Sequence, residues 1–499
     1  MERLSYQIIK ILKQSGVKTL FTIPGSLLEL LKDFSSDKDI DIYTATHEEQ
    51  LGYMAIGYYH SSGKIPMIMV TQGPGVTNLV TPLSCAWRDS VPLLVLTSYD
   101  RNSDIQDFQD SSGRYSSSNV SEILRPITLN QIKFHPDSLS NSLNSLYEIL
   151  NHNNLDKPVF VEIENKLLKE QIDFKIKTTN KINNDIMWEE LIGNIRIDEN
   201  CVFLIGYGAK NMDVESLLGF IQTRRCKIAT SIKGTELVPS NTAGLLGNIG
   251  YLGKSCANDF LASICTIIIS IGASLNKLTL YKWYSKFEER GGTIFNIGNI
   301  NYPIAQNIIC DLSQISLNNY NLIESNFPII KNPVFKYLQS QTENITYTIE
   351  SFRESFFNEF IIRKGDKIIT TSSHAPLGCS ISLAIGSSLY NNKQIHVVIC
   401  GDGGFLFTGM NILLLQKYIL PIFTIVIVNN EFKTVATAQR KKWGKTICTD
   451  LILPNFDYMH SFFKIESAVC KNNDEINHSF AKFMENKKPF FVFADDGII

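Results

Sequence analysis

One carboxylate and one carboxamide, 28 positions apart, each follow an apolar run that ends in a polar turn. Asp402 stands in Gly401-Asp402-Gly403-Gly404, after the run 395–400. Asn430 closes Asn429-Asn430, after the run 422–428. Runs of this length predict buried strands. The segment between them has helical spacing up to Tyr418 and is broken at Pro421, so the whole stretch predicts one βαβ unit with both polar residues at C-terminal strand ends. In an open parallel sheet that edge is where ligands bind. The glycines permit a sharp turn and close approach of backbone to a ligand. A few hard oxygen donors beside glycine backbone suit Mg²⁺ carrying a phosphate group. Taken singly, a Gly-Asp-Gly turn and an Asn-Asn strand end are both commonplace; it is their pairing that is specific.

A second candidate is Glu48, which opens a predicted helix whose apolar stripe is Leu51, Met54, Ala55 and Tyr58. Those positions place the Glu48 carboxylate on the buried face and turn Glu49 away from it, toward solvent. A buried carboxylate is costly unless neutral or paired. The structural alternative is that Glu48 simply caps the helix N-terminus, where negative charge is favourable.

Helix and strand patterns alternate through the chain, which predicts parallel sheets with helices on both faces. Three such units are expected: 1–165, 188–325 and 351–499. Polar stretches at about 166–187 and 326–350 read as linkers. The first unit places Pro24-Gly25 and Gln72-Gly73-Pro74-Gly75 after strands, and the second does the same with Gly206-Tyr207-Gly208-Ala209 and Gly272-Ala273.

The run His47-Glu48-x-x-x-Gly52-x-x-Ala55-x-Gly57-Tyr58, then Gly73-Pro74-Gly75-x-Thr77-Asn78, Asp89-Ser90-Val91-Pro92-Leu93 and Arg125-Pro126-Ile127-Thr128, resembles the pyrimidine-binding domain of acetolactate-synthase-like thiamine-diphosphate enzymes. The Gly-Asp-Gly…Asn-Asn pair resembles their diphosphate signature, and Gly206-x-Gly208-Ala209 with Gly244-Leu245-Leu246-Gly247 their central domain. The likeness covers nearly the whole chain, as a divergent member of the large catalytic subunit type, and implies three doubly wound α/β domains in the order pyrimidine, central, diphosphate.

From the resemblance, Glu48 matches the glutamate that hydrogen-bonds N1′ of the aminopyrimidine, favouring the imino tautomer whose N4′ removes the thiazolium C2 proton. The thiazolium then serves as electron sink for decarboxylation of pyruvate or a related 2-keto acid, and the two-carbon unit passes to a carbonyl acceptor. Asp402, Asn430 and the backbone carbonyl of Phe432 match the Mg²⁺ ligands. Pro24, Gly25, Gly73, Asn78, Gly401, Gly403 and Gly404 match cofactor-binding positions. In Ser373-His374-Ala375-Pro376-Leu377-Gly378, Leu377 is the candidate apolar wedge beneath the cofactor, the Ala375 carbonyl the candidate N4′ partner and His374 a candidate catalytic residue; ordinary core and loop roles are the alternatives. Phe108 and Gln109 are the substrate candidates. A homodimer or homotetramer with sites at the interface is implied.

Three departures stand out. Strand 367–371 runs almost directly into His374, where relatives carry a helical segment, so the diphosphate unit reads as shortened. The chain stops just after its last strand, without the tail that covers the site in acetolactate synthases. The segments 272–276 and 295–299 lack the Arg and Asp with which flavin-binding relatives hold FAD, so FAD is not expected. The competing functions are a simple 2-keto-acid decarboxylase and a non-catalytic homologue acting as a binding subunit.

The totals fit this picture. The chain has 499 residues, 44% hydrophobic and 19% charged, with a net charge of −2. Nothing there argues for nucleic acid or an anionic membrane as partner. The ten cysteines lack CxxC or metal spacing, which fits reduced thiols in the cytoplasm. The first residues, MERLSYQIIKILKQSG, read as an amphipathic helix and not a signal peptide.

Overall fold

The computed structural model describes residues 1–499 except 100–107, 110–114, 117–118, 153–154, 176–185, 299, 327–329, 351–359, 372–373 and 498–499; for 108, 109, 115 and 116 only the backbone is described. It contains three six-stranded sheets. The first runs Asp41–Tyr43, Thr19–Thr22, Met67–Met69, Leu94–Tyr99, Val159–Glu164, Asn130–Phe134, parallel throughout. The second runs Leu245–Asn248, Lys227–Thr230, Cys201–Ile205, Ile267–Ile271, Thr293–Gly298, Gln306–Ile309, again all parallel. The third is ordered Lys367–Ile369, Ile345–Ile349, Ile395–Gly401, Ile422–Val428, Phe490–Asp495, Glu466–Cys470. The fold is three doubly wound α/β domains, as the alternating pattern predicts.

The strands are apolar at nearly every position because both faces are covered. Leu94 and Leu96 enter one core cluster while Val95 enters the other, on the opposite face. In the second sheet Phe203 and Ile205 face one cluster, and Val202 and Leu204 the other. Among the described residues no helix is long and apolar enough to cross a membrane.

The described residues of 1–179, 347–351 and 369–499 form one compact unit, and those of 180–346 and 352–368 a second. Within the first unit, helix Glu48–Ser62 packs on helix Ser380–Tyr390. Their shared core takes Ile68 and Val95 from the first sheet and Val398 and Val426 from the third.

Both stretches read as linkers carry structure. In 166–187, Gln171–Ile172 pairs antiparallel with Glu2–Arg3. In 326–350, helix Pro333–Gln339 leads to strand Ile345–Ile349, which lies beside Ile395–Gly401 at the heart of the third sheet. Thr346 and Thr348 make this strand look polar, yet both are fully buried. The strand that runs into His374 is therefore the sheet's edge strand, and the inner strand lies upstream, with residues 350–366 connecting the two.

In the second unit, Glu236 follows strand Lys227–Thr230, is partly buried, and accepts a hydrogen bond from the Ile368 amide at 3.3 Å. Burial pushes its carboxyl up to about 7 from 4.5, although the Ile368 amide and Lys367, Lys233 and Lys210 pull the other way. A raised folded-state value means that its stabilising contribution is complete below pH 4.5 and disappears as pH rises through about 7. Relative to Glu236→Gln, the wild type should gain several degrees in Tm between pH 8 and pH 5. Parallel Tm–pH curves for the two proteins would contradict this.

Candidate active site

Asp402 begins the helix Asp402–Thr408 directly after strand Ile395–Gly401 and is 2% exposed. Three backbone amides hold its carboxylate. Gly403 donates to Oδ1 at 2.8 Å, and Asn429 and Asn430 donate to Oδ2 at 2.8 and 2.7 Å. Asn430 has φ +58°, a left-handed conformation that asparagine tolerates better than most residues. Its carbonyl accepts from the Leu451 amide at 2.9 Å, and the Phe432 amide donates to the Thr449 carbonyl at 2.8 Å. The Asn430 side chain is exposed. The two strand ends are thus tied together through Asp402, as the 28-residue spacing predicts. Asp402, Asn430 and Phe432 offer a carboxylate, a carboxamide and a backbone carbonyl, oxygen donors of the hard type that Mg²⁺ takes.

Residues 374–378 lead into helix Ser380–Tyr390, and the Gly378 carbonyl lies 3.4 Å from Thr408 Oγ1. His374, Ala375 and Leu377 are exposed, Leu377 at 39%, so Leu377 is not a core residue. Ala375 holds φ +56° and donates its amide to the Thr371 carbonyl at 2.8 Å. A non-glycine residue in that region is held there by its surroundings.

A carboxylate that sequence reasoning missed joins these parts. Glu350, 7% exposed, ends strand Ile345–Ile349. It accepts from the amides of Gly378 at 2.7 Å and Ser380 at 3.0 Å. A Cβ on Gly404 would come within 2.0 Å of its Oε1, so the last glycine of the turn makes room for this carboxylate. The available signal was a glutamate ending a β-branched run, hidden by the polar residues around it.

The other group of candidates gathers at the C-terminal edge of the first sheet. His47, not Glu48, is the N-cap of helix Glu48–Ser62: its Nδ1 accepts from the Glu49 amide at 3.3 Å. The hydrogen-bonded cap is therefore His47, while Glu48 stands in the first turn, where its negative charge is favourable. Glu48 is partly buried, and its Oε2 accepts from Asn78 Nδ2 at 2.9 Å. Gly75 lies against it, and Gly73 opens the same turn at φ +76°. Pro24 and Gly25 are exposed on the neighbouring loop; a Cβ on Gly25 would fall 1.8 Å from Thr71 Oγ1. Glu49, expected in solvent, instead accepts from the Tyr53 hydroxyl at 2.9 Å. The helix is buried on every side from Gln50 to Tyr59, not along one stripe. Phe108–Gln109 forms a two-residue strand paired with Tyr115–Ser116; the side chains of these substrate candidates lie outside the described residues.

Among the described residues no hydrogen bond or ion pair joins Glu48 directly to Asp402. Gln50 Nε2 donates to the Phe407 carbonyl at 3.4 Å and joins their helices, and a polar chain ties the start of the Glu48 helix to Asn411 and Ser382. Thr46 N donates to Asn411 Oδ1 at 3.2 Å, Asn411 Nδ2 to Ser382 Oγ at 2.7 Å, and Ser382 Oγ to Gln50 Oε1 at 2.6 Å.

An α/β chain with a half-buried carboxylate at one sheet edge and an amide-clamped aspartate at another has the layout of a cofactor-dependent enzyme. Three family models match in chain order: the thiamine pyrophosphate enzyme N-terminal TPP binding domain over residues 2–118, the central domain over 189–315 and the C-terminal TPP binding domain over 355–494. The acetolactate synthase large subunit of Lactococcus lactis is 23% identical, covering 94% of this chain and 88% of its own. An uncharacterised protein of Methanocaldococcus jannaschii is 24% identical, covering 97% and 95%. The acetolactate synthase large subunit of Porphyra purpurea is 20% identical, covering 98% and 90%. The chain belongs to the thiamine pyrophosphate enzymes.

Proposed function

We propose that this chain is a thiamine-diphosphate- and Mg²⁺-dependent carboligase or lyase. It decarboxylates pyruvate or a related 2-keto acid and transfers the two-carbon unit to a carbonyl acceptor. The observation that carries this is the Asp402 anchor: a buried carboxylate at a strand end, fixed by three amides that include those of Asn429 and Asn430. When bound, thiamine diphosphate supplies the electron sink for loss of CO₂.

The residues of the chain supply the rest. Asp402, Asn430 and the Phe432 carbonyl would hold Mg²⁺ with the diphosphate, the backbone of Gly401, Gly403 and Gly404 lying alongside. Glu48, aimed by Asn78, would hold a proton at N1′. Pro24, Gly25 and Gly73 would line the pyrimidine end. Leu377 offers an exposed apolar side chain to the middle of the cofactor, and the Ala375 carbonyl a partner for N4′. His374, on the same loop, would face substrate, and Phe108 and Gln109 would line the substrate chamber. Exposed Phe407, Met410 and Leu413 would be covered by a second copy in a homodimer or homotetramer of the cytoplasm.

Thiamine diphosphate with Mg²⁺ at a hundred times its Kd should stabilise the protein by about 2.7 kcal/mol, seen as a rise in Tm. Asp402→Ala should lose that rise. No shift in the wild type at millimolar cofactor would overturn the proposal. Mass spectrometry after incubation with pyruvate and carbonyl acceptors separates the outcomes: a C–C-coupled product supports ligation, and acetaldehyde alone supports simple decarboxylation.

A further inference from the structure

We propose that Glu350 is a positioning residue that sets the spacing between the metal-bearing turn 401–404 and the loop 374–378. The role rests on the function proposed above. Four contacts converge on this one buried residue. Its own amide donates to the Ile399 carbonyl at 3.1 Å, which fixes its backbone to the strand that ends at Gly401, just before Asp402. Its two carboxylate oxygens take the Gly378 and Ser380 amides, where loop 374–378 enters helix Ser380–Tyr390. Its Oε1 also rests against Gly404, where no Cβ would fit.

A buried carboxylate needs such donors to offset lost hydration. In satisfying it, the chain locks three segments into one register. Thr408 adds a second tie: its single hydroxyl proton is shared between the Gly404 carbonyl at 3.1 Å and the Gly378 carbonyl at 3.4 Å. Leu377 and the Ala375 carbonyl lie one and three residues before Gly378, so the Gly378 amide governs how far they stand from the turn that carries Asp402. The metal grip is proposed for Asp402, Asn430 and the Phe432 carbonyl, whereas the Glu350 carboxylate holds the Gly378 and Ser380 amides. Glu350 therefore acts on the ring end of the cofactor more than on its affinity.

The test compares wild type, Glu350→Gln and a control that loses a remote helix cap, Asn472→Ala, whose side chain accepts from the Glu475 amide. In Glu350→Gln the amide nitrogen replaces one acceptor, so one of the two loop amides loses its partner. Without cofactor, amide hydrogen–deuterium exchange at residues 375–380 should accelerate at least about tenfold in Glu350→Gln and stay unchanged in Asn472→Ala. With thiamine diphosphate and Mg²⁺ bound, NMR of acid-quenched samples should show exchange of the thiazolium C2 proton slowed at least about tenfold in Glu350→Gln. Its Kd for thiamine diphosphate should stay within about threefold of wild type. If Glu350→Gln fails to fold, Glu350→Asp keeps the charge and should show the same effects at intermediate size. A C2 exchange rate equal to wild type, or a Kd that weakens in step with that rate, makes Glu350 a helix cap or part of the metal grip and overturns the positioning role alone. A wild type that takes up no cofactor overturns the function itself, and the role of Glu350 with it.

Discussion

Glu48→Gln is expected to cut turnover by about a hundred- to ten-thousand-fold, the range supplied by a positioned general acid–base group. At 1.36 kcal/mol per tenfold that is about 3–5 kcal/mol of transition-state stabilisation. The structure makes this substitution unusually clean. Helix capping belongs to His47, whose ring accepts from the Glu49 amide, so the variant loses no cap. Glutamine keeps the length of the side chain, and its Oε1 can still accept from Asn78 Nδ2, which donates to Glu48 at 2.9 Å. What it cannot do is exchange a proton at N1′. The Tm without cofactor should therefore stay within a degree or two of wild type, and the Kd for thiamine diphosphate should change little while the rate collapses. That split is the signature of an interaction made in the transition state rather than in the ground state. A variant that keeps full rate would remove Glu48 from the chemistry. A rate loss accompanied by an equal loss of folded protein would reduce it to a structural residue.

The two strand ends that carry Asp402 and Asn430 were legible because each has a local signal. Asp402 and Asn430 follow long apolar strands, and the residues around them can be read from short-range spacing alone. Glu350 was not legible for the opposite reason. Its strand, Ile345–Ile349, alternates isoleucine with threonine and tyrosine between polar flanks. Only the sheet order, which places it beside Ile395–Gly401, shows that Thr346 and Thr348 are interior. The same limit applies to helix Glu48–Ser62. Its large apolar residues read as one stripe, but the helix is buried all round: Gly52 and Gly57 carry no hydrophobic signal, although a Cβ on Gly52 would strike Pro82 and one on Gly57 would strike Leu383. Periodicity registers large apolar side chains. It does not register a face kept small so that another backbone can approach. Loop 374–378 falls between these cases: its position was read from the resemblance, but the exposure of Leu377 required the structure.

Gly57→Ala and Gly386→Ala are each expected to destabilise the protein by about 3 kcal/mol or more, at or above the upper end of ordinary overpacking. The two glycines are reciprocal. A Cβ on Gly57 would lie 1.9 Å from the Leu383 carbonyl oxygen, and one on Gly386 would lie 1.8 Å from the Met54 carbonyl oxygen. Met54 stands three residues before Gly57, and Leu383 three before Gly386, so each helix sets its glycine against the facing backbone of the other. Because the obstacle is backbone oxygen, no rotamer change relieves it. The helices must part by about 1 Å, and the surrounding core loses close contacts that depend steeply on distance. These helices also begin at the two halves of the candidate site, one at Glu48 and the other at the segment held by Glu350, so a change in their spacing should lower activity per folded molecule as well. Since either alanine alone forces the separation, Gly57→Ala with Gly386→Ala should cost clearly less than the two single losses combined. Gly444→Ala is the comparison: Gly444 has φ +72° with open space around its would-be Cβ, so alanine there should cost only the backbone strain, about 1 kcal/mol. Thermal melts of the four variants decide the matter. If Gly57→Ala melts with Gly444→Ala, or if the double variant is fully additive, backbone contact is not what sets the spacing of these two helices.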